Sequence, residues 1–280
     1  MEFATLEYDD RRFRVADAGD GRPVVLLHGF PDGPESWSDT ADAVVSAGHR
    51  AIVPFLRGYH RDTIDAGRGY SAPEISGDVV TLLDALDLDT AVVVGHDWGA
   101  SCTWGVAARA PQRLDGVVVI GIPHPASIRP SPKLAWAVRH FWSIKAPRSD
   151  QRVARNDLAY IDTLYRRWSP HWSGPARNAT VARAKDILRD PVVRHEALQY
   201  YRDLSLRPDP VNTFRVDRPG LLVAGGGTEL VGGLDPYRAS LDRFDAPAEL
   251  LVVDGAGHWP HREGADRFHE VLIEFLGSLL

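Results

Sequence analysis

Cysteine is almost missing from this chain of 280 residues: Cys102 stands alone, so no disulfide can form within it. Set one turn into a helix, Cys102 is read as a packing residue rather than a nucleophile. No stretch approaches the ~20 apolar residues needed to span a bilayer. The segment Met1 to Glu7 has neither a basic region nor an apolar core, so a cytoplasmic location is expected. A basic surplus is lacking too: 32 Lys and Arg stand against 38 Asp and Glu, a net charge of -6, without the field that nucleic acid or anionic lipid would require. Neither nucleic acid nor a membrane is expected as a partner. The triple glycine Gly225-Gly226-Gly227 lacks the Gly-Lys-Ser/Thr of a phosphate loop and is read as an ordinary loop. His258 and His261 make only a weak metal pair with no further ligand at suitable spacing, so neither metal nor cofactor is expected.

What is present is a rhythm of apolar runs separated by helical or turn-rich stretches, the pattern of a mostly parallel sheet covered on both faces. Leu6 to Tyr8 and Arg12 to Ala16 flank an Asp9-Asp10 turn and suggest an antiparallel hairpin. Runs at 24–27, 51–53, 92–94, 117–120, 221–223 and 250–253 bring the count to about eight strands. Ile75 to Leu86 and Ala265 to Leu280 carry apolar residues at helical spacing. The rhythm breaks at Pro123 and resumes near Pro219, with short helical patterns rich in proline, arginine and aromatic residues between. The expected organisation is an α/β core, 1–122 and 219–280, with a helical lid, 123–218, inserted after the sixth strand. The lid holds Trp136, Phe141, Trp142, Tyr160, Tyr165, Trp168, Trp172, Tyr200 and Tyr201, more aromatic surface than a connector needs, and is read as walling an apolar pocket.

Gly95-His96-Asp97-Trp98-Gly99 follows a strand ending in Val92-Val93-Val94 and places a carboxylate where a sharp strand-to-helix turn would lift one side chain off the sheet edge. Asp97 is anionic near neutral pH and can attack saturated carbon without first losing a proton. The resulting ester needs a base to activate water and donors for an oxyanion. His258, in Asp254-Gly255-Ala256-Gly257-His258-Trp259 after the last strand, is the best placed base of the 11 histidines. The backbone N–H groups of Trp98 and of Phe30, in His28-Gly29-Phe30-Pro31, are the oxyanion candidates. Gly29 and Pro31 suit a loop of unusual shape with a cis bond before Pro31.

With His28-Gly29-Phe30-Pro31-Asp32, Leu56-Arg57-Gly58-Tyr59, the Asp97 elbow, Gly121-Ile122-Pro123-His124-Pro125 and Gly255-Ala256-Gly257-His258-Trp259, the chain resembles the α/β-hydrolase superfamily, in its branch of epoxide hydrolases and haloalkane dehalogenases. The resemblance covers nearly the whole chain. It implies the lid, the absence of a metal, and a two-step reaction through an alkyl-enzyme ester. It also implies a third triad member at the end of the seventh strand, where Gly-x-x-Asp is usual. Allowing one inserted glycine, Glu229 takes that place, with Asp235 as runner-up. In epoxide hydrolases two lid residues assist ring opening. Gln199-Tyr200-Tyr201-Arg202 resembles the second of these motifs and puts Tyr201 in the role, and counting back from Pro147 puts His140 in the other.

No arginine follows Asp97 to clamp a carboxylate substrate, and Phe30 stands where haloalkane dehalogenases often offer an asparagine to halide. The resemblance therefore implies an epoxide hydrolase that turns a small lipophilic epoxide into a vicinal diol, with Trp98, Phe30, Trp142 and Tyr200 lining the pocket. The alternatives are a dehalogenase with the same nucleophile, or a non-hydrolytic binding protein, cyclase or dehydratase in the same fold. A homodimer is compatible with any of them.

Overall fold

In a computed structural model of the protein, residues 1–65, 67–205, 213–227 and 233–279 are described. The strands β1 (Ala4–Tyr8), β2 (Arg11–Ala18), β3 (Pro23–Leu27), β4 (Arg50–Pro54), β5 (Ala91–His96), β6 (Leu114–Ile120), β7 (Gly220–Gly225) and β8 (Ala248–Val253) form one sheet in the order β1-β2-β4-β3-β5-β6-β7-β8. Pairing is antiparallel from β1 through β2 to β4 and parallel everywhere else. The expected hairpin and all six later runs are strands.

Alternation along each strand divides the core in two. Val25 and Leu27 of β3 and Val93 of β5 face α2 (Ala72–Ala85) and α3 (Trp98–Arg109), whereas Val24, Leu26, Val92 and Val94 face α1 (Ser38–Ser46) and the C-terminal helix. Helix α2 begins a turn before its apolar periodicity, because Ser71 and Glu74 form a capping box around its first turn.

Between β6 and β7 the chain runs through α4 (Pro132–Ala137), α5 (Arg139–Lys145), α6 (Ser149–Trp168), α7 (Pro175–Arg189) and α8 (Pro191–Arg202). Their apolar faces, with Ile144, Ile161, Leu164, Leu188 and Leu198, merge with the α2 and α3 side of the core rather than forming a separate one. Near its end this insert rejoins the core, where Val216 bridges Phe244. After β7 follow α9 (Asp235–Leu241), then β8, α10 (Pro260–Glu263) and α11 (Ala265–Ser278). Among the described residues no helix is long and apolar enough to cross a membrane, and no group of three or more His, Cys, Asp or Glu could hold a metal ion.

Candidate active site

Parallel register brings the C-terminal ends of β3, β5 and β6 level, with Leu27 beside Gly95 and His96 beside Ile120. The loops that leave those strands therefore meet at one edge. Asp97 turns the chain there with φ 53° and ψ -113°, a conformation that non-glycine residues rarely hold. Gly95 and Gly99 permit the turn: a Cβ on Gly95 would lie 2.2 Å from the Gly99 carbonyl oxygen, and one on Gly99 would lie 2.2 Å from that of Leu27.

The Asp97 carboxylate is held by both oxygens. Oδ1 accepts a 3.0 Å hydrogen bond from the Phe30 backbone N–H, and Oδ2 lies 3.2 Å from His258 Nε2. Burial works against its charge, but His258, the nearby His96 and the Phe30 amide outweigh that cost and leave the carboxyl below its ordinary range. The peptide bond between Phe30 and Pro31 is cis, as the loop sequence suggested. Trp98 opens α3, so its backbone N–H has no acceptor within the helix.

His258 reaches Asp97 from the distant strand β8 because the loop after that strand folds back over β7. Gly225 is glycine for this reason: a Cβ there would lie 2.0 Å from the Gly257 carbonyl oxygen. The loop is then pinned from several sides. The His258 backbone N–H donates to the Trp168 carbonyl and to Ser169 Oγ, both at 2.9 Å. Glu263 accepts from the backbone N–H of Gly257 and of Trp259 and from the Ser169 hydroxyl. Behind His258, the His96 Nε2 meets the His258 carbonyl oxygen at 2.8 Å. Burial pushes the His96 imidazole down to about 3, so it is neutral and its Nε2–H is the donor. Asp32 ties the same region together, accepting from the Tyr165 hydroxyl through Oδ1 and from the Trp259 indole N–H at 2.6 Å through Oδ2. Burial raises the Asp32 carboxyl to about 6.

From the insert, Tyr201 and His140 converge on Asp97. Tyr201 packs edge-on against Trp98 at 5.1 Å and Phe30 at 5.3 Å, and His140 lies 5.6 Å from Tyr201 between ring centroids. Burial first and the Asp97 charge second hold the Tyr201 hydroxyl well above its usual range, so it keeps its proton. Burial lowers His140 to about 3, which makes it a neutral N–H donor rather than an acid.

Trp142 does not wall the pocket. On α5, His140 and Ile144 stand four residues apart on the inward face, and Trp142, half a turn away, is 60% exposed. Tyr200 is buried against Trp98 at 5.4 Å and commits its hydroxyl to the Arg57 carbonyl at 2.9 Å. Glu229 lies outside the described residues. Asp235 is 93% exposed and paired with Arg238, which sets it apart from the buried His258. Sequence reading passed over His96, Ser169, Glu263 and Tyr59. Tyr59 had appeared only as part of a motif, yet its buried hydroxyl has no partner and the Asp97 charge raises its pKa after burial does.

A model of the alpha/beta hydrolase fold matches residues 22–265. The chain belongs to that family. This α/β-hydrolase is 28% identical over 308 residues to an epoxide hydrolase of Caballeronia sordidicola, across 95% of this chain and 90% of that protein. It is also 28% identical over 309 residues to Epoxide hydrolase A of Mycobacterium tuberculosis, across 96% and 95%. Among solved structures, Epoxide Hydrolase A of Mycobacterium thermoresistibile superposes with a TM-score of 0.83 at 23% identity over 98% of each chain, a likeness of fold.

Proposed function

We propose that this α/β-hydrolase opens a small lipophilic epoxide and hydrolyses the resulting ester to a vicinal diol. The observation that carries the reading is the pairing of a buried carboxylate on a strained elbow with an un-ionised tyrosine and a neutral histidine packed beside it. An opening epoxide leaves an alkoxide, which needs a proton donor, and Tyr201 is the group that holds one. Relatives named epoxide hydrolases, aligned over nearly the full chain, support the same reading.

In the first step Asp97 Oδ2 attacks an epoxide carbon, the C–O bond of the ring breaks, and the Tyr201 proton passes to the departing oxygen while His140 donates a hydrogen bond. Oδ1 becomes the ester carbonyl oxygen and stays on the Phe30 N–H. In the second step His258 takes a proton from water, the hydroxide adds to the Asp97 carboxyl carbon, and the negative charge forms on the oxygen already facing Phe30 and the open end of α3. Collapse breaks the bond from the Asp97 carboxyl carbon to the former Oδ2, which takes the proton held by His258 and leaves as the second hydroxyl of the diol, while the proton on the newly formed Asp97 carboxyl returns to Tyr201. Residues 123–218 act as the lid of this site, and Glu229 is the residue proposed to orient His258.

One observation favours a second reading. The Trp98 indole N–H is buried without a hydrogen-bond partner and would suit a departing halide. Intact mass of the His258→Gln variant, incubated with an aryl epoxide and separately with a bromoalkane, decides between them, because loss of the base stalls the ester on Asp97. An adduct of epoxide mass, abolished by a further Asp97→Asn change, is expected. An alkyl adduct from the bromide alone would establish dehalogenation, and no adduct from either would remove the hydrolytic reading.

A further inference from the structure

Four large apolar side chains are well exposed among the described residues, and two of them, Trp136 at 69% and Trp142 at 60%, lie on the neighbouring helices α4 and α5. They form one strip. The Arg139 guanidinium stacks 4.0 Å over the Trp136 ring, and Arg139 and Trp142, three residues apart, share a face of α5. Arg152 reaches the carbonyl of Ser143 at the far end.

The charge around this strip is one-sided. Residues 129–155 hold seven Lys and Arg and a single acid, Asp150. Among the described residues none of the seven pairs with a carboxylate, and Asp150 is taken by Arg202 at 2.7 Å. In the core, by contrast, Arg11 and Arg57 pair with Asp78, Arg50 with Asp17 and Arg113 with Asp84. Beside the strip lies a surface cavity of about 330 Å³ lined by Lys133, Trp136, Arg139, Arg167 and Trp168. Its wall residue Trp168 packs on the catalytic-loop side as well, 5.2 Å from the His258 ring.

We infer that the outer face of α4 and α5 docks on an anionic lipid surface. Tryptophans at the depth of the headgroups and unpaired cations toward phosphate are the chemistry such a surface takes up. Docking sets the cavity mouth against the bilayer, so that a lipid-dissolved epoxide passes toward the catalytic site without crossing water. The substrate class named here rests on the epoxide reading; the binding does not. A surface contact of this kind needs no spanning helix.

The test is flotation of the full chain with vesicles of phosphatidylcholine, alone or mixed with phosphatidylserine. Association with the mixed vesicles is expected, weakening as added salt shortens the screening length. It should fall by about tenfold or more in Trp136→Ser/Trp142→Ser and by about fivefold for each of Lys133→Gln and Arg148→Gln. Melting temperatures matching the parent show that these variants are folded. The Asp97→Asn variant, which does no chemistry, should bind as the parent does, so a failure of the catalytic reading is told apart from a failure of docking. No association, or association undiminished in the tryptophan variant, overturns the inference. So does retention on an oligonucleotide in place of vesicles, or a concentration-dependent dimer that the tryptophan variant abolishes.

Discussion

The α/β core and its helical insert carry opposite charge and hold their reactive groups by different means. Residues 123–218 contain 18 Lys and Arg against nine Asp and Glu, whereas the rest of the chain contains 14 against 29. In the core, Asp97 and His258 are fixed by backbone: a left-handed elbow, the Phe30 amide on one carboxylate oxygen and a loop with its N–H groups bound. In the insert, Tyr201 and His140 are held chiefly by aromatic packing, edge against face with Phe30, Trp98, Phe141 and Trp168. Backbone restraint suits groups that must meet one atom at one angle. Packing would suit donors proposed to meet oxygen atoms of varied substrates.

The division is sharpest if the two steps of the reaction separate, and Tyr201→Phe gives the largest effect. Loss of the hydroxyl should slow ester formation by about 10²-fold or more, leaving hydrolysis of ester already formed close to the parent rate. Stopped-flow tryptophan fluorescence with a single enzyme turnover resolves the two phases; equal slowing of both would break the assignment. Next comes Glu263→Gln, which weakens the cradle under His258 without touching substrate. Hydrolysis should slow about tenfold with ester formation unchanged, so that ester accumulates in quenched mass spectra. A loss shared by both phases would mean that Glu263 supports the fold generally.

The smallest effect tests the joint between the regions. Asp32, with its carboxyl raised to about 6, keeps its proton in the folded chain between roughly pH 4 and 6, where the unfolded chain has lost it. The folded state binds the extra proton, so this group lowers stability as pH rises through that window and adds no slope above it. The buried imidazoles of His28, His96 and His140, lowered to about 4, 3 and 3, act oppositely: the unfolded chain protonates first, and stability falls on acidification below roughly pH 6.5. In Asp32→Asn this contribution is lost while the histidine slope stays. Urea unfolding from pH 4 to 7 should show the variant gaining on the parent by about 2 kcal/mol as pH rises; parallel curves would refute the assignment.

Legibility in the sequence followed the same division. The sheet and the Asp97 and His258 loops could be read because backbone geometry restricts which residues fit, leaving glycines at fixed places around one reactive side chain. Tyr201 and His140 could be placed only by resemblance, since packing writes no local pattern. Trp142 was misjudged because aromatic content says nothing of helix phase, and His140 two residues earlier already took the inward face of α5. Ser169 was invisible because it meets His258 across 89 residues of sequence, and Glu263, though only four to six residues from the N–H groups it binds, because a carboxylate that accepts from backbone writes no motif. Net charge hid the insert's surplus, since the core more than balances it.

The end of α6 carries one more implication. The Trp168 carbonyl and the Ser169 hydroxyl hold the backbone N–H of His258, and Tyr165, three residues before Trp168, stacks on Trp259 at 4.1 Å while sharing Asp32 with it. The insert is thus not an interchangeable module. A chimera that grafts a foreign insert onto this scaffold has to import the matching segment around His258 as well, or the graft will fold and leave His258 with nothing to aim it.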